Sequence, residues 1–361
     1  MVKIDYSMLY LKSENARMRL KEVSRALRKS PQRLKYNFDV LEKEEIIKNP
    51  YCIFDYSYFG LVLFRTYLRG VYVAEQDKKR IIDELRDNPY IVSIYGLTGE
   101  YDLVVEFASP NPSKFNKELK KIVNLMPTLN DYKIVLNIVT HLYPRHYLVR
   151  ANDPKTNAKM KIKTKTVGIV KKKIISKHAD MIDTKITDFQ PQYIEKVIGG
   201  DKERQSFSEN EMKAIKSLLV HPTSQLSKLA KHSELNVKTI KSILKNLGKK
   251  GIIRGFRYTL DKDKLDIQAF RLFLKLHHLT QEREDSLMNY LRNKKEIIQA
   301  NKTVGDWDME IDIESLDSGK IRQIILQIRE EFKDIIERFN LIEFHDSYKK
   351  SYLPSYLFKE E

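Results

Sequence analysis

The chain has 361 residues, 42% of them hydrophobic, which is enough for two to four compact domains with apolar cores. Its 66 Lys and Arg residues outnumber 49 Asp and Glu, and the formal charge of +17 favours a polyanionic partner, either nucleic acid or an anionic membrane surface. The single cysteine, Cys52, excludes an internal disulfide framework and a multi-cysteine metal site. No apolar run approaches the roughly 20 residues that span a bilayer, so we expect a soluble, cytoplasmic protein.

The sequence repeats itself with a constant offset of 206 residues, which is the difference between Gly99 and Gly305. Apolar, glycine and aspartate positions match without insertion from Leu20 to Ile313. A register held over so long a stretch predicts a duplication, with each copy a single two-part unit.

The first part of each copy has the pattern of a helix-turn-helix. In copy one, apolar residues spaced by three and four predict two helices, the second starting at the N-cap Ser30 and at Pro31. Asn236 is the corresponding N-cap in copy two. A preceding helix around Met8 or Ile215 completes a three-helix core. The extended segments 50–56 and 255–260 then predict a wing.

The exposed side of the second helix decides whether this core can read DNA, because the major groove must be entered by hydrogen-bonding and cationic side chains. Copy two has seven basic and no acidic residues between 236 and 260, whereas acidic residues follow the basic ones in copy one. A protein-docking role remains the alternative for both copies. The candidate DNA-binding residues are Ser30, Gln32, Arg33, Lys35, Tyr36 and Asn37 in copy one, and Lys238, Thr239, Lys241, Ser242, Lys245, Arg254 and Arg257 in copy two.

The second part of each copy alternates short apolar strands with amphipathic helices in the order β-α-β-β-α-β. This order predicts an α+β fold with a ferredoxin-like open antiparallel sheet, whose helices cover one face and whose other face needs a partner. The predicted domains are winged helix-turn-helix 1 (1–58), regulatory domain 1 (59–150), a Lys-rich linker (151–206), winged helix-turn-helix 2 (207–263) and regulatory domain 2 (264–361).

A turn of the form Gly-x-aromatic-Asp lies between the middle strands of both copies. It reads Gly99-Glu100-Tyr101-Asp102 in copy one and Gly305-Asp306-Trp307-Asp308 in copy two. Glycine permits a positive φ, and aspartate can accept a hydrogen bond from a backbone or ligand N–H group. The pattern alone leaves open a turn that is kept for geometry.

With these features the chain resembles the feast/famine (Lrp/AsnC) family of transcriptional regulators over most of both halves. The resemblance implies an N-terminal winged helix-turn-helix, a ferredoxin-like regulatory domain and an amino-acid or small-metabolite effector bound near the turn between subunits. Members usually carry one unit per chain and pair their regulatory sheets, so the pairing here is expected either within the chain, as a pseudo-dimer, or between chains. The implied effector-site residues are Gly99, Tyr101, Asp102, Gly305, Trp307 and Asp308.

The linker holds nine lysines between 155 and 177 and no acidic residue there. Each lysine that neutralises a phosphate releases counterions, so this stretch is a candidate for sequence-independent DNA contacts. A solvated linker is the alternative interpretation. The phosphate-binding candidates are Lys161, Lys163, Lys165, Lys171, Lys172 and Lys173.

Two other function classes remain. A subgroup similar to this family decarboxylates sirohaem, but we find no acid–base or metal constellation, and His277 and His278 would face opposite sides of a strand. A non-specific architectural protein would carry the same charge. We therefore predict a nucleoid-associated, sequence-specific regulator that binds double-stranded DNA, with no catalytic residues, metal or cofactor.

Overall fold

The computed structural model describes residues 4–72, 74–149 and 195–358. These residues form two compact units that do not follow chain order. The first, here called the helical unit, joins the parts before Asp55 and from Phe207 to Asp261, together with residues 146–149. The second, the barrel unit, joins Asp55–Arg145, residues 195–206 and the chain from Lys262 onward. The two copies thus contribute to both units, and the described helices are all too short or too polar to cross a membrane.

The helical unit contains the two predicted three-helix cores. In each core the third helix is the one predicted to read DNA, here called the reading helix, and both reading helices begin at the predicted N-caps Ser30 and Asn236. A strand follows each reading helix. The elements are α1 (Tyr6–Glu14), α2 (Leu20–Leu27), α3 (Pro31–Lys43) and β1 (Ile47–Phe54) in copy one, and α6 (Glu209–Val220), α7 (Leu226–Ser233), α8 (Val237–Lys249) and β7 (Ile253–Leu260) in copy two.

The two predicted wings are not free hairpins, because β1 and β7 pair with each other in an antiparallel ribbon. Ile47 lies opposite Leu260, and Phe54 lies opposite Ile253. Ile253 is the copy-two equivalent of Ile47, and Leu260 is the equivalent of Phe54, so the offset of 206 converts one pair into the other. The ribbon therefore has an approximate twofold axis through its middle. Most of its side chains are buried, so the two predicted wings form one packed ribbon.

The barrel unit contains both β-α-β-β-α-β sets in the predicted order. Copy one supplies β2 (Val62–Arg69), α4 (Glu75–Asp87), β3 (Ile91–Thr98), β4 (Leu103–Ser109), α5 (Pro112–Val123) and β5 (Asp131–Leu142). Copy two supplies β8 (Gln268–Leu276), α9 (Gln281–Arg292), β9 (Ile297–Gly305), β10 (Met309–Ser315), α10 (Ser318–Glu331) and β11 (Ile336–Lys350).

The two sheets are joined edge to edge, so the predicted open sheets are wrong in this one respect. The strand order is β5-β2-β4-β3 in copy one and β11-β8-β10-β9 in copy two, and β3 pairs with β11 while β5 pairs with β9. Eight strands therefore form a closed ring. The pairing partner that each regulatory sheet needs is the other copy in the same chain, which is the pseudo-dimer arrangement.

The barrel has two helix-covered outer cores and one interior. Helices α4 and α5 cover the copy-one sheet, and α9 and α10 cover the copy-two sheet. In the interior, the Tyr67 and Phe273 rings lie 5.1 Å apart, and Phe273 lies 5.3 Å from Trp307. The interior cluster draws residues from both copies, so neither sheet could bury it alone.

The end of the predicted linker belongs to the barrel. Residues 196–199 form β6, which pairs antiparallel with β5, and Ile198 is fully buried. The buried carboxylate of Asp55 accepts a hydrogen bond from the Gly199 N–H at 3.0 Å and pairs with Lys202. The linker boundary at 206 is therefore too late. The lysines predicted to bind phosphate, between 161 and 173, lie outside the described residues.

Candidate nucleic-acid interface

Side-chain caps fix the start of both reading helices. Ser30 Oγ accepts a hydrogen bond from the Arg33 N–H at 3.3 Å, and Asn236 Oδ1 accepts one from the Thr239 N–H at 2.8 Å. Each cap satisfies a helix-end N–H that would otherwise need water. The buried side chains of Leu34 in α3 and Ile240 in α8 anchor the inner faces, so the opposite faces point outward.

The outer face of α8, here called reader 2, is basic. Lys238, Lys241 and Ser242 are exposed, and Lys245 is half-buried. The whole helix carries four lysines and no acidic residue. Positions three and four apart share one face of a helix, so these groups form a single stripe suited to the donors and charges of DNA recognition.

The outer face of α3, here called reader 1, is mixed. Gln32, Arg33 and Lys35 are exposed, and Tyr36 is 70% exposed, which is unusual for so large a ring. Asn37 is half-buried. The helix carries three basic and two acidic residues, so its net charge is +1 against +4 for α8.

Arg257 does not belong to this interface. It is only 3% exposed and forms an ion pair with Glu14 of α1, so it fastens β7 of copy two to copy one. A buried arginine held by a carboxylate is structural, because breaking such a pair is strongly destabilising. Arg254 is half-buried beside Gly251, with its guanidinium turned toward that turn.

Reader 1 is also braced by the other copy. The Tyr258 ring of β7 meets the Phe38 ring of α3 edge-on at 6.1 Å, and its hydroxyl donates to Glu42 at 3.4 Å. Lys12 lies over the Phe38 ring at 4.6 Å and donates to the Ala16 and Met18 carbonyls. Burial lowers the pKa of Lys12 to about 8. No sequence signal indicates the contact of Tyr258 with α3, because Tyr258 lies more than 200 positions from Phe38 and Glu42.

The Gly-x-aromatic-Asp turns have defined structural contacts in the barrel. The Asp102 carboxylate accepts hydrogen bonds from the Gly70 and Val71 N–H groups at 2.6 and 3.0 Å. Asp308 accepts one from the Leu276 N–H at 2.8 Å and pairs with Lys275 at 3.0 Å. Each aspartate thus ties its turn to the end of the first strand of the same copy.

The other residues of these turns also support the barrel. Tyr101 and Trp307 are buried in its interior cluster. Gly99 and Gly305 have φ values of 123° and 141°, where a side chain would be strained, and a Cβ at Gly305 would lie 2.8 Å from the Ile134 carbonyl oxygen.

A buried charge network in the barrel interior was missed by the sequence analysis. Arg65 Nε lies 2.7 Å from Glu106, and its equivalent Arg271 lies 2.6 Å from Asp312, which is the equivalent of Glu106. Glu310 joins both, 2.6 Å from Arg65 and 3.4 Å from Arg271. The available signal was the recurrence of an arginine and a carboxylate at the offset of 206. Because alternating charged residues in a strand usually indicate a solvent-exposed face, this recurrence did not suggest a buried network.

The histidine pair is placed differently from the prediction. Strand β8 ends at Leu276, so His277 and His278 follow it, and their ring centroids lie only 5.0 Å apart. The expectation that they face opposite sides of a sheet is wrong, because His278 has a positive φ of 48° that turns the chain. Within residues 4–72, 74–149 and 195–358, no cluster of His, Cys, Asp and Glu is arranged to hold a metal ion.

Comparison with known proteins gives curated relatives and solved structures, while no family model matches the chain. An uncharacterized HTH-type transcriptional regulator of Pyrococcus furiosus is 30% identical over 122 residues, which cover 33% of this chain and 77% of that protein. Another, from Pyrococcus horikoshii, is 26% identical over 124 residues, covering 34% of this chain and 78% of that protein.

Comparison with solved structures gives two examples. The siroheme decarboxylase NirDL aligns with 96% of this chain and 93% of its own at 12% identity and a TM-score of 0.53, and this likeness concerns the fold alone. The structure of E. coli AsnC covers 38% of this chain and 91% of its own, at 16% identity and a TM-score of 0.32. From its two helix-turn-helix cores, its paired regulatory sheets and its regulator relatives, the chain belongs to the feast/famine (Lrp/AsnC) family of HTH-type transcriptional regulators.

Proposed function

We propose that this protein is a sequence-specific regulator that binds double-stranded DNA and that one chain supplies both readers. The symmetric pairing of β1 with β7 carries the proposal. It relates α3 and α8 by an approximate twofold axis inside the helical unit, as in dimeric helix-turn-helix repressors. Each reader enters a major groove, and the two half-sites lie about 34 Å apart, or a multiple of that distance.

The decisive test reverses charge in reader 2. We expect Lys238→Glu with Lys241→Glu to weaken binding to the protein's upstream DNA by about 30-fold or more, because each lost base or phosphate contact costs ~1 kcal/mol or more. The slope of log affinity against log salt should also fall by about two. Fluorescence anisotropy over a salt series, against a randomised duplex pool, measures both quantities.

The matched control changes the same number of charges in the barrel unit. Lys79→Glu with Lys320→Glu alters two exposed lysines there and should change affinity much less. A second comparison, Glu44→Lys with Glu45→Lys, probes the acidic end of α3, where we expect a small effect. Equal effects of all three variants would refute reader 2 as the reading face.

The proposal extends to an amino-acid or small-metabolite effector at the Gly-x-aromatic-Asp turns. An effector shifts the regulator only through different affinities for two states. Trp307 is the single tryptophan and is buried in one of these turns, so its fluorescence reports ligand binding there. A saturable change with one amino acid or metabolite, reduced by Asp308→Asn in the same turn, would support the effector. An invariant spectrum across an amino-acid panel would refute an amino-acid effector at this turn.

Two alternatives are separated by simple outcomes. Equal affinity for upstream and random DNA that collapses with salt would indicate an architectural protein, since specific regulators exceed their non-specific affinity by roughly 10³ or more.

The similarity in fold to a siroheme decarboxylase over almost the whole chain favours an enzyme as the second candidate. Conversion of sirohaem by the purified protein, with no DNA binding, would establish that candidate instead.

A further inference from the structure

The two readers lead into strands that pair symmetrically, but their exposed side chains differ. In the β1–β7 ribbon, Ile47 pairs with Leu260 and Phe54 pairs with Ile253. Ile253 is the copy-two equivalent of Ile47, and Leu260 is the equivalent of Phe54, so the offset of 206 converts one pair into the other. A twofold relation between reading helices places two half-sites in inverted orientation on DNA. The orientation of the half-sites therefore follows from the backbone, whereas their sequences follow from the exposed side chains.

The exposed side chains differ at most of the paired positions. Gln32 of reader 1 corresponds to Lys238 of reader 2, so this position differs. Lys35 corresponds to Lys241, so both readers have a lysine there. One helical turn further, Tyr36 corresponds to Ser242 and Asp39 to Lys245. All except Lys245 are exposed, and Lys245 is half-buried.

These differences select different bases. Lysine donates to the O6 and N7 acceptors of guanine, glutamine makes paired hydrogen bonds with adenine, and aspartate accepts from the amino group of cytosine. Reader 2, with a net helix charge of +4, also neutralises more phosphates than reader 1, with +1.

We propose that the operator is an inverted repeat with unequal halves, which the chain binds in one orientation. The half under reader 2 presents guanine, and the half under reader 1 presents adenine, together with a cytosine that Asp39 can read. This inference rests on the proposed function. A homodimer cannot distinguish the two directions of a palindrome, but a chain with unlike readers can, because reversal would put each reader on the other's bases.

Affinity cleavage tests the orientation directly. Arg25 in α2 and Lys231 in α7 occupy equivalent, exposed positions, near the reading helices but outside the residues proposed to contact bases. In the full chain carrying Cys52→Ala, an iron chelate is attached through Arg25→Cys or Lys231→Cys. Operators are first selected from a randomised duplex pool with the unlabelled protein and then bound by each labelled variant.

We expect each label to cut one half of the operator at least about tenfold more strongly than the other, with the two labels cutting opposite halves. Reversing the operator within a longer duplex should reverse both patterns. The selected sequences should hold guanine in the half cut by the Lys231→Cys label.

Equal cutting of both halves by each label, or selection of a perfect palindrome, would overturn the inference while leaving the proposed function intact. Failure to select any sequence, with cutting spread evenly along every duplex, would refute the proposed function itself. The two failures are thus distinguishable in one experiment.

Discussion

Glu310 shows how one residue can define which sheets pair. It is fully buried in the barrel between Arg65 and Arg271, and it also accepts a hydrogen bond from the Tyr67 hydroxyl at 2.7 Å. The equivalent residue in copy one is Val104. A barrel built from two copy-two sheets would keep an arginine at the position of Arg65 but bury a second Glu310, and an uncompensated buried charge costs about 3–5 kcal/mol. Pairing of unlike copies buries a single Glu310, which both arginines share.

The acid sensitivity of the barrel should depend on Glu106. Burial alone would raise its pKa, but the charges of Lys350 and Arg65 outweigh burial and hold the pKa well below the ordinary 4.5. A carboxylate with a lowered pKa in the folded state stabilises that state above its unfolded pKa, and this stabilisation is lost as the pH falls. Unfolding free energy should therefore drop below about pH 4.5.

We expect Glu106→Gln to lower the free energy of unfolding by ~2 kcal/mol at pH 7, because Arg65 and Lys350 lose the charge of one buried partner, and to flatten the dependence on acid. Urea unfolding followed by Trp307 fluorescence reports the barrel unit specifically. The exposed Glu203→Gln serves as the control, for which the loss should stay within about 0.5 kcal/mol. An unchanged acid dependence in Glu106→Gln would contradict this role.

At the scale of elements, the ribbon of β1 and β7 permits a direct test of pairing within the chain. Cys52 lies opposite Phe256, and opposed residues in an antiparallel pair bring their Cβ atoms to about 5 Å, near the reach of a disulfide. Phe256→Cys should therefore give an oxidised monomer with a disulfide inside the chain. Burial raises the pKa of the Cys52 thiol, so oxidation should be run at alkaline pH.

Non-reducing electrophoresis and mass spectrometry distinguish the outcomes. Covalent dimers in place of the bridged monomer would show that the ribbon forms between chains. Thr259→Cys is the control, because Thr259 lies opposite Lys48 and should not bridge to Cys52.

The reading helices could be predicted from sequence, whereas their bracing could not. Ser30 with Pro31, and Asn236, are local signals that act within one turn of the helix they start. The contact of Tyr258 with Phe38 and the ion pair of Arg257 with Glu14 depend on which strands pair across the chain. Arg257 resembled an exposed basic residue because the strand pattern around it does not reveal its partner.

At the scale of the whole molecule, the duplication and the closed barrel set the binding stoichiometry. Because both sheets and both readers belong to one chain, we expect one chain per operator duplex and a binding curve without cooperativity. Mass photometry of the complex, with anisotropy across protein concentrations, checks both statements. Two chains per duplex and a steep curve would show that each reader pair is assembled from separate molecules.

The sequence was sufficient for the strand order of each regulatory domain but not for the closure of the barrel. The β-α-β-β-α-β order follows from local periodicity, and the need for a partner follows from an uncovered sheet face. Which partner covers that face depends on pairings such as Phe344 with Leu97 and Leu136 with Val304, each between residues more than 160 positions apart. No local sequence pattern indicates which of these distant strands pair.

The covalent link between the two paired sheets changes how the regulator responds to gene expression. A homodimeric regulator must first reach its dimerisation constant, so a few newly made subunits remain inactive. In this chain the second sheet is always present at the effective concentration of an intramolecular partner, whatever the number of molecules in the cell. Promoter occupancy should therefore rise in proportion to copy number from the first molecules synthesised, without a threshold.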